Sequence, residues 1–196
     1  MKLYLAGPDV FLPDAAEIGR IKVDLCGKYG FVGLYPLDNA ISPAQDISLS
    51  QAIFDGNIAM LNRADAVVAN LTPFRGVSAD AGTVFEVGNA YACGKKIYGY
   101  SNIRASFTER IEHFIAGAFT RGKDGRGYAA DGLAVEDFDR FDNLMIAEAL
   151  LASGQNVFLP ATTVGDVWRD TQAFEQCLQA IRAPAPAPAS SHTTAP

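Results

Sequence analysis

Short apolar runs alternate with longer stretches of helical periodicity along most of this chain. Leu3 to Ala6 reads as a buried strand, stopped by Gly7-Pro8. Asp14 to Tyr29 carries Ile18, Ile21 and Leu25 at helical spacing and ends at Gly30. Phe31 to Tyr35 is a second strand, halted by Pro36, and Ser48 to Arg63 a helix with Ile53, Ile58 and Leu61 on its apolar side. Ala66 to Leu71 has the near-continuous apolar character of a strand covered on both faces. A helix follows with Asp80 as N-cap and Gly94 as its stop. Lys96 to Tyr100 is a fourth strand, Ala105 to Gly117 is helical, and Arg121 to Gly132 is a Gly-rich charged loop. Asn143 to Ala152 is a short helix, Asn156 to Leu159 a fifth strand, and Val164 to Ile181 a closing helix. This alternation predicts an α/β fold: a five-stranded, mostly parallel sheet flanked by helices on both faces. No internal repeat is present. The Ala-Pro repeat and the Ser/Thr run from Ala183 predict a disordered tail, so the expected division is a domain over 1–182 and a tail over 183–196.

Composition narrows the class. The 196 residues are 49% hydrophobic and 19% charged, which fits one globular domain with a substantial core. A net charge of −6 argues against nucleic acid or an anionic membrane as the main partner. No apolar run reaches the roughly 18–20 residues of a membrane span. The apolar start breaks at Gly7-Pro8, too early for a signal peptide. Cys26, Cys93 and Cys177 are isolated, with no metal-binding or disulfide spacing, which leads to the expectation of a reducing cytoplasm. A nucleophilic cysteine needs a histidine beside it. His113 lies in a helical pattern and His192 in the tail.

The chemistry gathers in the run Asp80-Ala81-Gly82-Thr83-Val84-Phe85-Glu86-Val87-Gly88-Asn89-Ala90. Glu86 is a single carboxylate among Val84, Phe85, Val87 and Ala90, where an unpaired charge is costly to bury. The run follows a buried strand and the turn Thr72-Pro73-Phe74-Arg75-Gly76, so Glu86 is expected beyond the carboxyl end of a parallel strand, where open α/β sheets bind ligands. The plainer reading is an ion pair, with Arg75 for instance, and Asp80 alone would be a helix cap. Gly7-Pro8 lacks both dinucleotide and P-loop patterns. It is either a tight turn or a close approach of backbone to ligand, with Asp9 or Phe11 beside it. Asp38 in Leu37-Asp38-Asn39 is either an Asx turn or a carboxylate at the same sheet edge. Asn57 alone reads as a surface polar residue, and Asn143 as an N-cap.

These stretches resemble the nucleoside 2-deoxyribosyltransferase family. The resemblance is carried by Leu5-Ala6-Gly7-Pro8-Asp9-Val10-Phe11, by Pro36-Leu37-Asp38-Asn39, and by Asn57 through Asp80 with its Ala69-Asn70-Leu71-Thr72-Pro73-Phe74-Arg75-Gly76. The Asp80–Gly88 run and Asp142-Asn143-Leu144-Met145 complete it. Members that begin with Ala-Gly-Pro include purine-preferring transferases. The resemblance implies a flavodoxin-like, Rossmann-like fold and exchange of the base on a 2′-deoxynucleoside, in nucleoside salvage, through a covalent deoxyribosyl-enzyme. It makes Glu86 the nucleophile and Asp80 the partner of the sugar 5′-hydroxyl. It makes Asn143 a contribution from a neighbouring subunit to that hydroxyl, hence a homo-oligomer with shared sites. Gly7, Asp9, Phe11, Asp38, Asn57 and Gly82 would line the substrate pocket. The partners would be a 2′-deoxynucleoside and a free nucleobase, with no metal and no organic cofactor. Asn57 departs from members that carry an aspartate there to protonate the leaving base. Asparagine has no such proton to give, which leaves Asp38, Asp9 or water. Some members complete the site with their C-terminal carboxylate, and the Ala-Pro tail is unlike theirs.

An ionised Glu86 beneath C1′ would stabilise the positive charge of glycosidic cleavage and trap it as an ester, giving retention after two displacements. Asp80 nearby would raise the Glu86 pKa by repulsion. A carboxylate in the 5′ pocket favours a free hydroxyl over a phosphate. The competing readings are an N-glycoside hydrolase on the same scaffold and a catalytically silent nucleotide-sensing module.

Overall fold

The computed structural model describes residues 1–38 and 47–183. Asn39 and the tail beyond Ala183 lie outside them. Four parallel strands form the main sheet: β1 (Lys2–Ala6), β2 (Val32–Leu34), β3 (Ala66–Asn70) and β4 (Lys96–Tyr100), in the order β2-β1-β3-β4. The register sets Leu3 beside Gly33 on one side and Ala66 on the other, and Val67 beside Ile97. The described residues form six α-helices, α1 (Ala15–Lys28), α2 (Leu49–Arg63), α3 (Ala81–Ala92), α4 (Phe107–Ile115), α5 (Leu144–Ala152) and α6 (Gln172–Arg182), of which all but α4 pack against the sheet.

Side chains alternate across the pleat, and each parity has its own core. Tyr4, Ala6, Val67, Ala69 and Ile97 pack with Met60 and Leu61 of α2, Val87 and Ala90 of α3, and Ile146 and Leu150 of α5. Leu3, Leu5, Val68, Tyr98 and Tyr100 pack with Leu25 and Cys26 of α1 and Phe174 and Leu178 of α6. Tyr4 therefore faces the α3 side and Tyr100 the α1 side. The chain leaves β1 toward β2 in one direction and reaches β3 in the other. The carboxyl ends of β1 and β3 thus flank the point where the strand order reverses, the usual ligand position in such sheets.

Three expectations are corrected. The predicted fifth strand is reduced to one parallel bridge between Phe158 and Tyr100, made by the Phe158 N–H on the Gly99 carbonyl (2.9 Å) and the Ser101 N–H on the Phe158 carbonyl (3.0 Å). The next inward-directed N–H would belong to residue 160, which is proline and has none. The predicted loop over 121–132 lies in a small antiparallel sheet of β5 (Thr120–Arg121), β6 (Gly127–Tyr128) and β7 (Ala134–Val135). Strands of two residues leave no periodic signal. The closing helix starts at Gln172, not Val164. The Asn102 amide donates to the Val167 and Asp170 carbonyls (2.8 and 2.9 Å), capturing acceptors that an earlier helix would need. Among the described residues no helix is long and apolar enough to cross a membrane.

Candidate active site

A cavity of about 260 Å³ opens at the carboxyl ends of β1 and β3, lined on the sheet side by Gly7, Val10 and Phe11 and on the α3 side by Asp80, Gly82, Thr83 and Glu86. Pro36, Leu37, Ile53 and Asn57 close it. Of the residues singled out in the sequence, Gly7, Phe11, Asn57, Asp80, Gly82 and Glu86 meet here. Asp38 follows the lining residue Leu37 at the end of a 3-10 turn and is exposed.

Gly7 admits no side chain: a Cβ there would lie 2.6 Å from Asp9 Oδ2 and 2.7 Å from Asn70 Cβ. Asp9 itself lies outside the cavity lining. It is 3% exposed, 2.7 Å from Lys22 Nζ, and accepts from Asn70 Nδ2 at 3.0 Å. It braces the turn from Gly7 to Phe11 from behind. Phe11 stacks on Phe74 with ring centres 5.3 Å apart and rings 17° from parallel. The Arg75 guanidinium lies over both rings, 4.8 Å from Phe74 and 5.9 Å from Phe11. The suggested ion pair of Arg75 with Glu86 is not formed.

Asp80 caps α3 and at the same time lines the cavity. Its Oδ2 accepts from the Thr83 N–H (2.9 Å) and hydroxyl (3.1 Å), while the residue still lines the cavity. Gly82 permits this fold-back, because a Cβ at that position would lie 3.1 Å from the same oxygen. One turn further on, Glu86 Oε1 accepts the hydroxyl proton of Tyr4. Burial pushes the Glu86 carboxyl up to about 7; the Tyr4 hydroxyl pulls it down and the Asp80 charge pushes it up again. Burial, and then the Glu86 charge, hold the Tyr4 hydroxyl well above its usual range, so it remains a donor. Among the described residues no cation pairs with Glu86. The Asn57 Oδ1 is buried with no hydrogen-bond partner among the described residues.

Tyr4 and Thr83 were missed by sequence reasoning. The available signal for Tyr4 was a phenol inside an otherwise aliphatic strand, at the parity of Ala6. Asn143 lies elsewhere. It caps α5, accepts from the Met145 N–H (3.1 Å), donates to Glu136 Oε1 (2.9 Å), and lines a separate cavity with Val77, Phe114 and Leu133. Cys26 and Cys177 are buried and inert, and burial pushes the Cys26 thiol up to about 12, whereas Cys93 is exposed on α3's C-terminal end, away from the cavity lining. Among the described residues no cluster of three or more His, Cys, Asp or Glu side chains is placed to hold a metal ion.

The arrangement provides a carboxylate held by a neutral donor, a second carboxylate one and a half turns upstream, and an aromatic wall. Comparison with known proteins agrees in kind. The family model "Nucleoside 2-deoxyribosyltransferase" matches residues 3–145. An uncharacterized protein of Schizosaccharomyces pombe is 30% identical over 166 residues, 78% of each chain. The solved 2-desoxiribosyltransferase from Leishmania mexicana superposes with a TM-score of 0.60 at 29% identity, over 91% of this chain and 97% of that one. A conserved protein from Enterococcus faecalis shares the fold, with a TM-score of 0.54 at 16% identity over 92% of this chain and 98% of that one.

Proposed function

The chain belongs to the nucleoside 2-deoxyribosyltransferase family, and from that premise we propose that it exchanges the base of a 2′-deoxynucleoside through a covalent intermediate on Glu86. The observation that carries this reading is the Glu86 carboxylate itself: at the cavity wall, without a cation, and held by a phenol that can donate but has no charge to neutralise it. As the bond from C1′ to the base nitrogen breaks, its electron pair leaves with the base and positive charge grows on C1′. A Glu86 oxygen then bonds to C1′ and forms an ester. The second base attacks C1′ from the opposite face, the ester C–O bond breaks, and its pair returns to Glu86. Two inversions give retention.

Tyr4 fixes the Glu86 rotamer, so one oxygen is held while the other meets C1′. Asp80 has its Oδ2 bound to Thr83, which leaves Oδ1 for the sugar 5′-hydroxyl, and its charge disfavours a 5′-phosphate. Phe11, stiffened by Phe74 and Arg75, offers a flat face to the base. The leaving base takes its proton from water or Asp38, since Asn57 has none to give and Asp9 is enclosed by Lys22 and Asn70. Asn143, remote from this cavity within the chain, would reach the 5′-hydroxyl of a neighbouring copy, making the enzyme a homo-oligomer. Its place would be nucleoside salvage, with purines preferred.

The test is incubation of the purified protein with 2′-deoxyinosine and adenine, followed by chromatography. Formation of 2′-deoxyadenosine and hypoxanthine is expected. Hypoxanthine and free deoxyribose without a new nucleoside would make the protein a hydrolase. Binding without turnover would make it a sensing module.

A further inference from the structure

Asp142 lines neither cavity, is 1% exposed, and makes four directed contacts. Its Oδ1 accepts the Ser78 hydroxyl and the Asn143 N–H, the latter at 2.8 Å. Its Oδ2 accepts the Ala79 N–H at 3.2 Å and lies 3.6 Å from Arg110 Nη2. Arg110 is 8% exposed, donates to the Phe141 carbonyl, and lies 4.5 Å over the Phe141 ring. One buried carboxylate therefore joins two distant pieces of chain: the residues that lead directly into Asp80, and Asn143. Apolar packing already holds α3 to α5 through Val87 and Ala90 with Ile146 and Ala149. An ion pair adds little stability over such packing, but it aims backbone groups as methyl contacts cannot. What it aims here is the N–H just before Asp80 and the N–H of Asn143. Glu136 completes the second arm by holding the Asn143 amide and the Leu144 N–H (2.9 and 2.8 Å).

We propose that Asp142 is a positioning residue for the sugar end of the site, setting Asp80 and Asn143 together with Arg110 as its counterion. This rests on the reading above that Asp80 and Asn143 hold the 5′-hydroxyl. Asp142 touches no substrate; it acts through those two groups. In an oligomer it would link the two halves of neighbouring sites, because the Asp80 it braces serves its own chain and the Asn143 it braces serves the next.

The test compares 2′-deoxyinosine with 2′,5′-dideoxyinosine, adenine being the acceptor, in the wild type, Asp142→Asn and Ser78→Ala. The wild type should favour the substrate that bears the 5′-hydroxyl. Asp142→Asn should lower kcat/KM for 2′-deoxyinosine by about tenfold or more, while changing that for the 5′-deoxy substrate by less than about twofold. Ser78→Ala removes one contact and keeps the ion pair, so it should give the same pattern more weakly. It decides the matter if Asp142→Asn does not fold. Equal losses on both substrates would overturn the proposal and leave Asp142 a purely structural residue. A wild type that treats the two substrates alike would instead overturn the 5′-hydroxyl reading, and the proposal with it.

Discussion

Each face of the sheet has a tyrosine whose hydroxyl meets a charged helical residue. On the α1 face the Tyr100 hydroxyl accepts from Lys22 at 2.7 Å, and Lys22 is also paired with Asp9 at 2.7 Å. On the α3 face the Tyr4 hydroxyl donates to Glu86, and among the described residues no cation pairs with that carboxylate. The first cluster is neutralised and closed; Asn70 occupies the other Asp9 oxygen. The second keeps its charge unbalanced beside a cavity, with Asp80 adding repulsion. A buried ion pair whose polar atoms all find partners holds a scaffold. A largely desolvated carboxylate with only a neutral donor is what the proposed nucleophile requires.

The contrast breaks most sharply at Glu86→Ala. Loss of the nucleophile should cost about 4 kcal/mol of barrier or more, roughly a thousandfold in rate, with the fold kept. Exchange kinetics together with circular dichroism check both halves, and a variant that retains a tenth of the wild-type rate would remove Glu86 from the mechanism. Lys22→Met should do the reverse. It strands Asp9 in the interior and should cost about 3–5 kcal/mol of stability, visible in urea melts. A Lys22→Met protein of normal stability but no turnover would place the closed cluster in the chemistry.

A subtler difference concerns pH. The Glu86 carboxyl is pushed from the ordinary 4.5 up to about 7, so the folded state favours its protonated form. The penalty of ionising it is therefore absent below about pH 4.5, grows as pH rises, and is complete above about 7. Glu86→Gln should accordingly be stabilised by about 1–3 kcal/mol at pH 8 and hardly at all at pH 4. Thermal melts at the two pH values read this directly, and an equal shift at both would show that charge is not the cause. With Glu86 as the proposed nucleophile, kcat/KM should rise through about pH 7 as its carboxyl ionises, and a flat profile there would count against that role. The smallest effect is expected from truncation after Arg182. The removed Ala-Pro repeat has almost no apolar surface to bury, so activity and Tm should stay nearly unchanged. A marked fall in either would assign the tail a docking role.

Legibility followed the range of the interactions involved. The four strands, the α3 cap at Asp80 and the position of Glu86 at a strand's carboxyl end were readable because they rest on periodicity, capping and breakers within a few residues. The Asp80–Gly88 run and the Ala-Gly-Pro turn carried the family as well. The failures lie where a distant group intervenes. Pro160 ends a strand that its own apolar residues would have extended, and the Asn102 amide takes carbonyls of 167 and 170 and delays α6.

The linear order of residues determined by itself a parallel α/β chain and the place of Glu86 on the helix that follows the third strand. Only the tertiary structure decided which carboxylates are free and which are bound. Asp9 and Glu86 look alike in the sequence, each a single acid beside apolar neighbours. Lys22 is 13 positions from Asp9 and Tyr4 is 82 from Glu86. Whether a buried charge meets a cation or a neutral phenol depends on which helix crosses which strand, and so does its pKa.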